Sequence, residues 1–398
     1  MNILHVTRET RSDIKYGIRK SLTPVLEALG SRGHTVAIFC KEDADSMPQG
    51  KLVKFAEAVY FNTMRRRFGG EGELALAVLM ERVHVARAAA SNAARLGVTH
   101  VHCHDPLLAH AYAFFAPLYG ATRRWGYSAH AYGRYVQLRL GMETSSNSLA
   151  SLQRWENQAA RKASWVIAPS HSGMEQMLRD LSFSTRPLHW HMVPHAVAKP
   201  SACDRIAARN ALGLGENEKL LVAVGQLIPL KRFSLLLESI ALLSAELRPR
   251  LLILGEGEEH PALQALAEKL GLASRFEIRT TDNIGQYLGA ADIYASVSST
   301  ESYGIANCEA LLAGIPSVCT AVGAVPEVLG AGALLVGDKP EQIASALAML
   351  LTSSEQRKML AAKSKLRVAE WLGPEEVASA LESIYAGDNY YHKYKKHD

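Results

Sequence analysis

Leu220-Leu-Val-Ala-Val-Gly-Gln-Leu-Ile-Pro-Leu-Lys231-Arg232 opens with five consecutive apolar residues and then breaks at a glycine. An uninterrupted apolar run of this kind fits a strand buried on both faces of a parallel sheet. Ser234–Ser244 then carries apolar residues at helical spacing, and Leu251–Leu254 is a second apolar run. Strand, helix and strand in that order predict a βαβ unit. Toward the C-terminus the alternation continues: Pro261–Leu270 as helix, Phe276–Ile278 and Asp292–Val297 as strands, Gly304–Ala313 as helix, Ser317–Thr320 and Ala333–Val336 as strands, Pro340–Leu351 as helix. Toward the N-terminus the same style returns. Asn2–Val6, Thr35–Cys40, Thr99–His102, Trp125–Ala129 and Trp165–Pro169 read as strands, with helices at Ile18–Arg32 and Leu107–Tyr119. His189–Asp204, carrying Pro194, Pro200 and Ser201, reads as the link between two α/β domains in tandem.

The 398 residues are enough for two full cores, and 48% apolar with 21% charged residues is globular composition. That excludes disordered, collagenous and coiled-coil classes. No run of 18 apolar residues is present. Met1–Thr7 leads straight into a strand pattern and not into a leader, so the expected location is the cytoplasm. Five widely spaced cysteines without a CxxC signal neither zinc nor a disulfide framework. The charge is lopsided. Residues 1–200 hold 25 Lys and Arg against 15 Asp and Glu, whereas residues 201–398 hold 19 against 24. A basic first half suits an anionic partner, and nucleic acid, an anionic bilayer surface and an acidic small substrate all satisfy it. No DNA- or RNA-binding motif accompanies the charge, which weighs against nucleic acid. No GxGxxG follows the first strand, which weighs against a dinucleotide-dependent dehydrogenase.

The chemistry-bearing stretch is Glu301-Ser-Tyr-Gly-Ile-Ala-Asn-Cys-Glu309, two carboxylates with seven residues between them. From Ser302 through Pro326, Glu309 is the single charged residue, and a charge in so apolar a segment needs a partner or a task. Glu301 falls where a strand gives way to a loop. Gly304 allows close backbone approach, and the N–H groups at the helix start near Ile305 suit an anion. A carboxylate for hydroxyls beside a helix start for phosphate describes a nucleotide-sugar site.

With these residues in view, the chain resembles the family 4 (group 1) retaining glycosyltransferases of the GT-B fold, whose signature is a Glu, seven residues and a second Glu. Leu220–Arg232 resembles that family's strand, glycine, phosphate loop and lysine. Leu251-Leu-Ile-Leu-Gly255-Glu-Gly257 resembles its next strand and turn, and Val322-Gly-Ala-Val-Pro326-Glu327 its GGxPE turn. In the first half, Tyr16-Gly17-Ile18 and Arg32-Gly33-His34 resemble its glycine loop and RGHxV segment, and Val193-Pro-His-Ala-Val197 its VPNGV linker. The resemblance covers nearly the whole chain and is strongest over residues 220–330. It implies two Rossmann-like parallel-sheet domains facing across a cleft: residues 1–195 for the acceptor and 196–372 for the nucleotide sugar. Residues 373–398 would form a crossover helix and basic tail, the helix Pro374–Tyr385 returning to the first domain and Tyr390–Asp398 trailing as a loose end.

Carried over position by position, the resemblance implies a donor site of Gly17, Gly225, Gln226, Lys231, Arg232, Gly255, Tyr303, Gly304, Ile305 and Glu309. His130, Glu301 and Lys231 would be the catalytic groups. Lys231 would neutralise the diphosphate, Glu309 would hold the ribose hydroxyls, and Glu301 would lie by the hydroxyls of the transferred sugar. The backbone N–H groups of Tyr303, Gly304 and Ile305 would fix sugar and phosphate, and His130 would face the reacting sugar. The family's usual Arg after the strand glycine is Gln226 here, and the first glycine loop is reduced to Gly17 with Arg19 in place of an acid. The implied reaction is transfer of a hexose-type unit from a nucleoside diphosphate sugar, UDP or GDP ahead of ADP, with retention and no cofactor or metal. The single acidic DxD spacing, Asp43-Ala-Asp45, falls in an expected loop far from the donor motifs. The acceptor expected is a glycan or lipid-linked glycan of surface polysaccharide synthesis. Met64-Arg-Arg-Arg-Phe68 and Arg123-Arg-Trp125 could rest on the inner face of an anionic membrane. Another GT-B enzyme, a nucleotide-sugar epimerase or a phosphorylase, is the alternative.

Overall fold

The computed structural model describes residues 1–10, 18–47, 50, 54–55, 57–60, 62, 66, 73–130, 146–201, 203–215, 217–281 and 283–392. The chain divides into two compact units, one of Met1–Ala196 with Leu372–Lys393 and one built on Val197–Trp371.

The first unit carries a six-stranded sheet. Its strands are β1 (Asn2–Val6), β2 (Thr35–Phe39), β3 (His100–Cys103), β4 (Trp125–Ser128), β5 (Val166–Ala168) and β6 (Trp190–Met192). They lie in the order β2-β1-β3-β4-β5-β6, each pair parallel. The order reverses between β1 and β3, where the chain starts outward to one side and then crosses to the other. In the second unit β7 (Leu220–Val224), β8 (Arg250–Leu254), β9 (Phe276–Arg279), β10 (Ile293–Ser296), β11 (Ser317–Thr320) and β12 (Leu334–Val336) run in the order β12-β11-β10-β7-β8-β9. These pairs are parallel too. This is the dinucleotide-fold order, with its switch point between β7 and β10. In such sheets ligands bind beyond the carboxyl ends of the strands at that point.

The apolar runs form the sheets because both faces are covered. Leu221, Ala223, Leu251, Ile253, Ile293 and Val318 pack on one side of the second sheet with Leu236, Leu237 and Ile240 of the helix Phe233–Ala241. Leu220, Val222, Leu252 and Tyr294 pack on the other with Tyr303, Cys308 and Leu311. In the first unit Ile3, Val25, Leu29 and Trp165 share a core with Val377, Ala378, Leu381, Ile384 and Tyr385. The last five belong to the helix Pro374–Ala386, so the chain's C-terminal helix does cross back to the first unit.

Three expectations need correction. Residues 190–192 of the supposed link are an edge strand, because Trp190 and Met192 have buried places beside β5. Residues 390–392 are not loose: Tyr391 bridges Met192, its hydroxyl lies 2.6 Å from Nδ1 of His171, and Arg186 covers its ring. Asp43 and Asp45 lie on a short helix, Lys41–Asp45, not in a loop, and the Asp43 carboxylate accepts the Cys40 N–H at 2.8 Å as a cap. No helix among the described residues is long and apolar enough to cross a membrane.

Candidate functional site

The second unit gathers its chemistry at the carboxyl ends of β7 and β10. Beyond β7 the chain passes Gly225 and Gln226 into a one-turn helix, Pro229–Lys231, started by a proline. Lys231 folds back over Gly225, and a Cβ there would lie 3.3 Å from the lysine Cδ and Cε. Beyond β10 come Val297, Ser298 and the Glu301 loop. The two loops meet in one contact: Nζ of Lys231 lies 2.5 Å from Oε1 of Glu301, and the same oxygen accepts the Ser298 hydroxyl at 2.7 Å. Ser298 is itself buried. An ammonium and a carboxylate are thereby held side by side at the switch point, where a ligand can exchange either one.

After Glu301 the chain turns through Gly304, in the left-handed region at φ +83°, and enters the helix Ile305–Leu312. A Cβ on Gly304 would also meet the Asn307 amide nitrogen at 2.8 Å, so glycine is required there twice over. The first turn of that helix aims its N–H groups back toward the loop. Glu309 lies one turn further along and is 4% exposed. Tyr303 is buried in the same core cluster as Leu220, Tyr294 and Val325. Burial pushes the Cys308 and Cys319 thiols upward, so both act as apolar packing beside the site.

Two expected donor residues serve the scaffold. Arg232 adopts φ +50°, and its guanidinium donates to the carbonyls of Val297 at 2.8 Å and Ser298 at 2.7 Å, with Asp338 at 3.3 Å. It clamps the end of β10 and leaves Lys231 as the cation beside Glu301. Gly255 lets β8 end close against β7, since a Cβ there would fall 1.8 Å from the Gly225 carbonyl oxygen.

In the first unit, His130 stands just past β4, and it is one of a series. His5 and His102 are register partners on β1 and β3, and His104 and His195 follow at the carboxyl ends of β3 and β6. Nδ1 of His5 lies 3.0 Å from Nε2 of His104; Nδ1 of His104 lies 2.8 Å from Nε2 of His130; Nδ1 of His130 lies 3.3 Å from Nε2 of His195. The rings stack with centroids about 5 Å apart at His5–His104, His104–His130 and His130–His195. Beyond His5, the Tyr385 hydroxyl lies 3.5 Å from its Nε2 and 2.7 Å from Nδ1 of His102, whose Nε2 meets Ser128 Oγ at 2.8 Å. At the other end Ser21 Oγ is 3.4 Å from Nδ1 of His195. A pocket lies along this row, lined also by Leu22, Val25 and Leu381. Burial lowers every one of these imidazoles: His5 to about 3, His195 to about 4, and His102, His104 and His130 well below the usual value, the last three also through neighbouring histidines. All five are therefore neutral at pH 7.

The structure thus brings Gly225, Gln226, Lys231, Arg232, Gly255, Glu301, Tyr303, Gly304, Ile305 and Glu309 to one edge of the second sheet, and sets His130 at the corresponding edge of the first. Gly17 and most of the basic segment Met64–Phe68 lie outside the described residues. Sequence reasoning missed Ser298, His5, His102, His104, His195 and Tyr385. The alternation His100-Val-His102-Cys-His104 was a readable signal, since residues two apart on a strand share a face.

Comparison with known proteins agrees with this division. Residues 17–197 match the family described as Glycosyltransferase Family 4, and residues 204–367 match Glycosyl transferases group 1. The N-acetyl-alpha-D-glucosaminyl L-malate synthase of Bacillus anthracis is 27% identical over 187 residues, 46% of this chain and 49% of that protein. The D-inositol 3-phosphate glycosyltransferase of Stackebrandtia nassauensis is 29% identical over 264 residues, 61% of this chain and 59% of that protein. The matches thus span about half to three-fifths of these curated relatives. Among solved structures, Anabaena HepE in complex with UDP-glucose superposes with a TM-score of 0.69 at 17% identity, over 96% of this chain and all of that one. The shared fold is GT-B.

Proposed function

The chain belongs to the glycosyltransferases that join a family 4 domain to a group 1 domain, and from that premise we propose that it transfers a sugar from a nucleoside diphosphate sugar to a hydroxyl acceptor, with retention at the anomeric carbon. The observation that carries the reading is the Lys231–Glu301–Ser298 contact at the switch point of the second sheet, followed by the Gly304 turn and the buried Glu309. On this reading Lys231 leaves Glu301 for the donor diphosphate and supplies positive charge where negative charge develops on the leaving phosphate. Glu301, released, accepts hydrogen bonds from the transferred sugar. Glu309 accepts from the ribose hydroxyls, and the N–H groups at Gly304 and Ile305 hold phosphate and sugar.

The binding of UDP-glucose by a protein of the same fold favours a uridine nucleotide. The mechanism is a same-face displacement without a resident metal, in which positioning and electrostatics do the work. The acceptor is a glycan or lipid-linked glycan. Phe114 and Leu118, exposed on the helix Pro106–Tyr119 of the basic unit, suit peripheral contact with an anionic bilayer.

Thermal unfolding against UDP, GDP, ADP and CMP and their common sugars tests the donor site. A ligand at about 100 times its Kd stabilises by roughly 2.7 kcal/mol, and one base is expected to raise Tm by a few degrees. Glu309→Ala and Lys231→Ala abolish that rise. A flat response to every nucleotide defeats the reading. Retention is then read from the anomeric coupling of the product.

A further inference from the structure

Both oxygens of Ser298 are engaged, and they do different work. Its carbonyl accepts the Arg232 guanidinium at 2.7 Å and the Thr320 hydroxyl at 2.8 Å. The main chain here is thereby pinned between the loop after β7 and the end of β11. The Ser298 hydroxyl donates to Oε1 of Glu301 at 2.7 Å. Glu301 is held through its backbone as well, its carbonyl accepting the Ala324 N–H at 2.9 Å. A carboxylate fixed at both its backbone and its head stays where it is when its cation moves. Lys231 is held differently. Its stem lies over Gly225, and its ammonium meets Glu301 and no other acceptor among the described residues. The lysine side chain is 21% exposed and that of Glu301 12%. The pair is open to a ligand yet mostly out of bulk water, where salt screens it less than a surface pair.

We propose that Ser298 is a positioning residue that keeps Glu301 in place as a rival of the donor diphosphate for Lys231. The site thereby favours a nucleoside diphosphate still carrying its sugar over one that has lost it. This selectivity rests on the donor chemistry proposed above. A diphosphate draws the ammonium only by parting it from a carboxylate 2.5 Å away. With a sugar attached, the sugar's hydroxyls donate to Glu301 and take the place of the ammonium. Without the sugar nothing on the ligand replaces it, and carboxylate and diphosphate repel each other. Separating a partly buried ion pair without compensation is costly, and a penalty on the wrong ligand is what makes a site selective. Ser298 sets that penalty because it bonds the same oxygen as Lys231 does. That oxygen stays within reach of the ammonium while a ligand is bound and reclaims it once the sugar has gone. No covalent bond changes in the exchange.

The backbone clamp runs through the Ser298 carbonyl, which alanine keeps. The hydroxyl has Glu301 as its partner among the described residues. Ser298→Ala therefore removes the positioning contact and spares the clamp.

Isothermal titration of the full chain tests this with UDP and UDP-glucose, GDP and GDP-mannose, and ADP and ADP-glucose; the pair that binds is carried through the variants. The quantity read is the Kd of the bare diphosphate divided by that of its sugar-bearing form. Glu301→Ala is expected to tighten the bare diphosphate by about tenfold, the scale of one charge-assisted hydrogen bond, and to lower the ratio at least as far. Ser298→Ala is expected to lower the ratio by about 3- to 10-fold. Ser298→Thr, which keeps the hydroxyl, restores it, and Ser299→Ala, whose hydroxyl meets the Leu230 carbonyl instead, leaves it unchanged. In a Glu301→Ala background, Ser298→Ala changes the ratio by less than about twofold, because a positioning residue acts only through the group it positions. A ratio unmoved by Ser298→Ala, or one that falls as far in the double variant as in the wild type, overturns the proposal. So does a bare diphosphate that binds Glu301→Ala no more tightly than the wild type, a measurement that needs no change at Ser298. The two readings fail separately. A wild-type chain that binds none of the six nucleotides defeats the donor site and the rivalry together, whereas a bound nucleotide with an unmoved ratio defeats the rivalry alone.

Discussion

At the residue scale, Gly255 and Arg232 show how much of the second unit's edge is scaffold. Gly255 brings β8 so close to β7 that a methyl group would overlap the Gly225 carbonyl at 1.8 Å. Gly225 in turn carries the Lys231 stem, so a shift at residue 255 passes to the ammonium beside Glu301. Gly255→Ala is expected to destabilise the second unit by about 3 kcal/mol, the range for a substitution that forces backbone apart. Gly215→Ala, whose Cβ would make only an ordinary contact 4.0 Å from the Glu218 Cβ, serves as the neutral control. Urea unfolding of both variants checks this, and equal midpoints would show that the edge yields freely. Arg232 was legible as a cation after a strand loop. Its clamp on the Val297 and Ser298 carbonyls was not, because carbonyls brought in from 65 and 66 residues away leave no local mark. Ser298 went unread for the same reason: a serine at a strand end is common, and only its contact with Glu301 distinguishes it.

At the scale of elements, the C-terminal helix Pro374–Ala386 is the one whose removal tells most. It starts with a proline at its first turn and ends at Gly387 in the left-handed region. Between them it buries Val377, Leu381, Ile384 and Tyr385 against Ile3, Leu29 and Trp165. At about 1.5–3 kcal/mol for each large side chain buried, those four approach the whole stability of an ordinary domain, about 5–15 kcal/mol. Glu382 adds a rim contact, 2.5 Å from Arg32 and 2.7 Å from His34. A chain ending at Trp371 is expected to lose hydrogen-exchange protection across β1, β3, β4 and β5 while β7 through β11 stay protected. Loss of protection in both sheets together would contradict the division into two units. The parallel strands with uniformly apolar runs were legible nearly to the residue: β7 and β11 fall where the sequence places them. The helices Glu73–Arg95, His171–Asp180 and Ser354–Val368 were not anticipated, since mixed polar and small residues obscure their apolar faces. Edge strand β6 was lost among prolines, because its pairing with β5 is set by Trp190 and Met192 finding a core and not by any alternation of its own.

At the scale of the whole molecule, the two units differ in what acid does to them. The five imidazoles of the row, with His100 and His191 near 4, have folded values below the unfolded value of about 6.5. The folded first unit therefore binds fewer protons than its unfolded chain. That stability is complete above pH 6.5 and is lost as pH falls toward 4, at about 1.4 kcal/mol per pH unit for each imidazole kept neutral. Glu156 works the other way. Burial raises it to about 8, so its contribution is present below its unfolded value and is lost as pH rises through 8, which offsets one imidazole over the range between. The paired carboxylates Glu57, Asp105 and Glu382 are lowered and add their own loss only once pH falls into the carboxylate range. His84, raised by its hydrogen bond to Glu57, works in the same direction as Glu156, but several lowered imidazoles against these two leave a net loss on acidification, and all of these groups belong to the first unit. Calorimetry from pH 7.5 to 5 is expected to split into two transitions. The lower one should move steeply with pH and report the first unit; the upper one should stay nearly still. His104→Gln, which keeps an amide donor and acceptor inside the row but removes a titrating ring, should flatten the lower transition's slope. If both transitions shift together, or the variant's slope matches the wild type, the neutral histidine row is not what makes the first unit sensitive to acid.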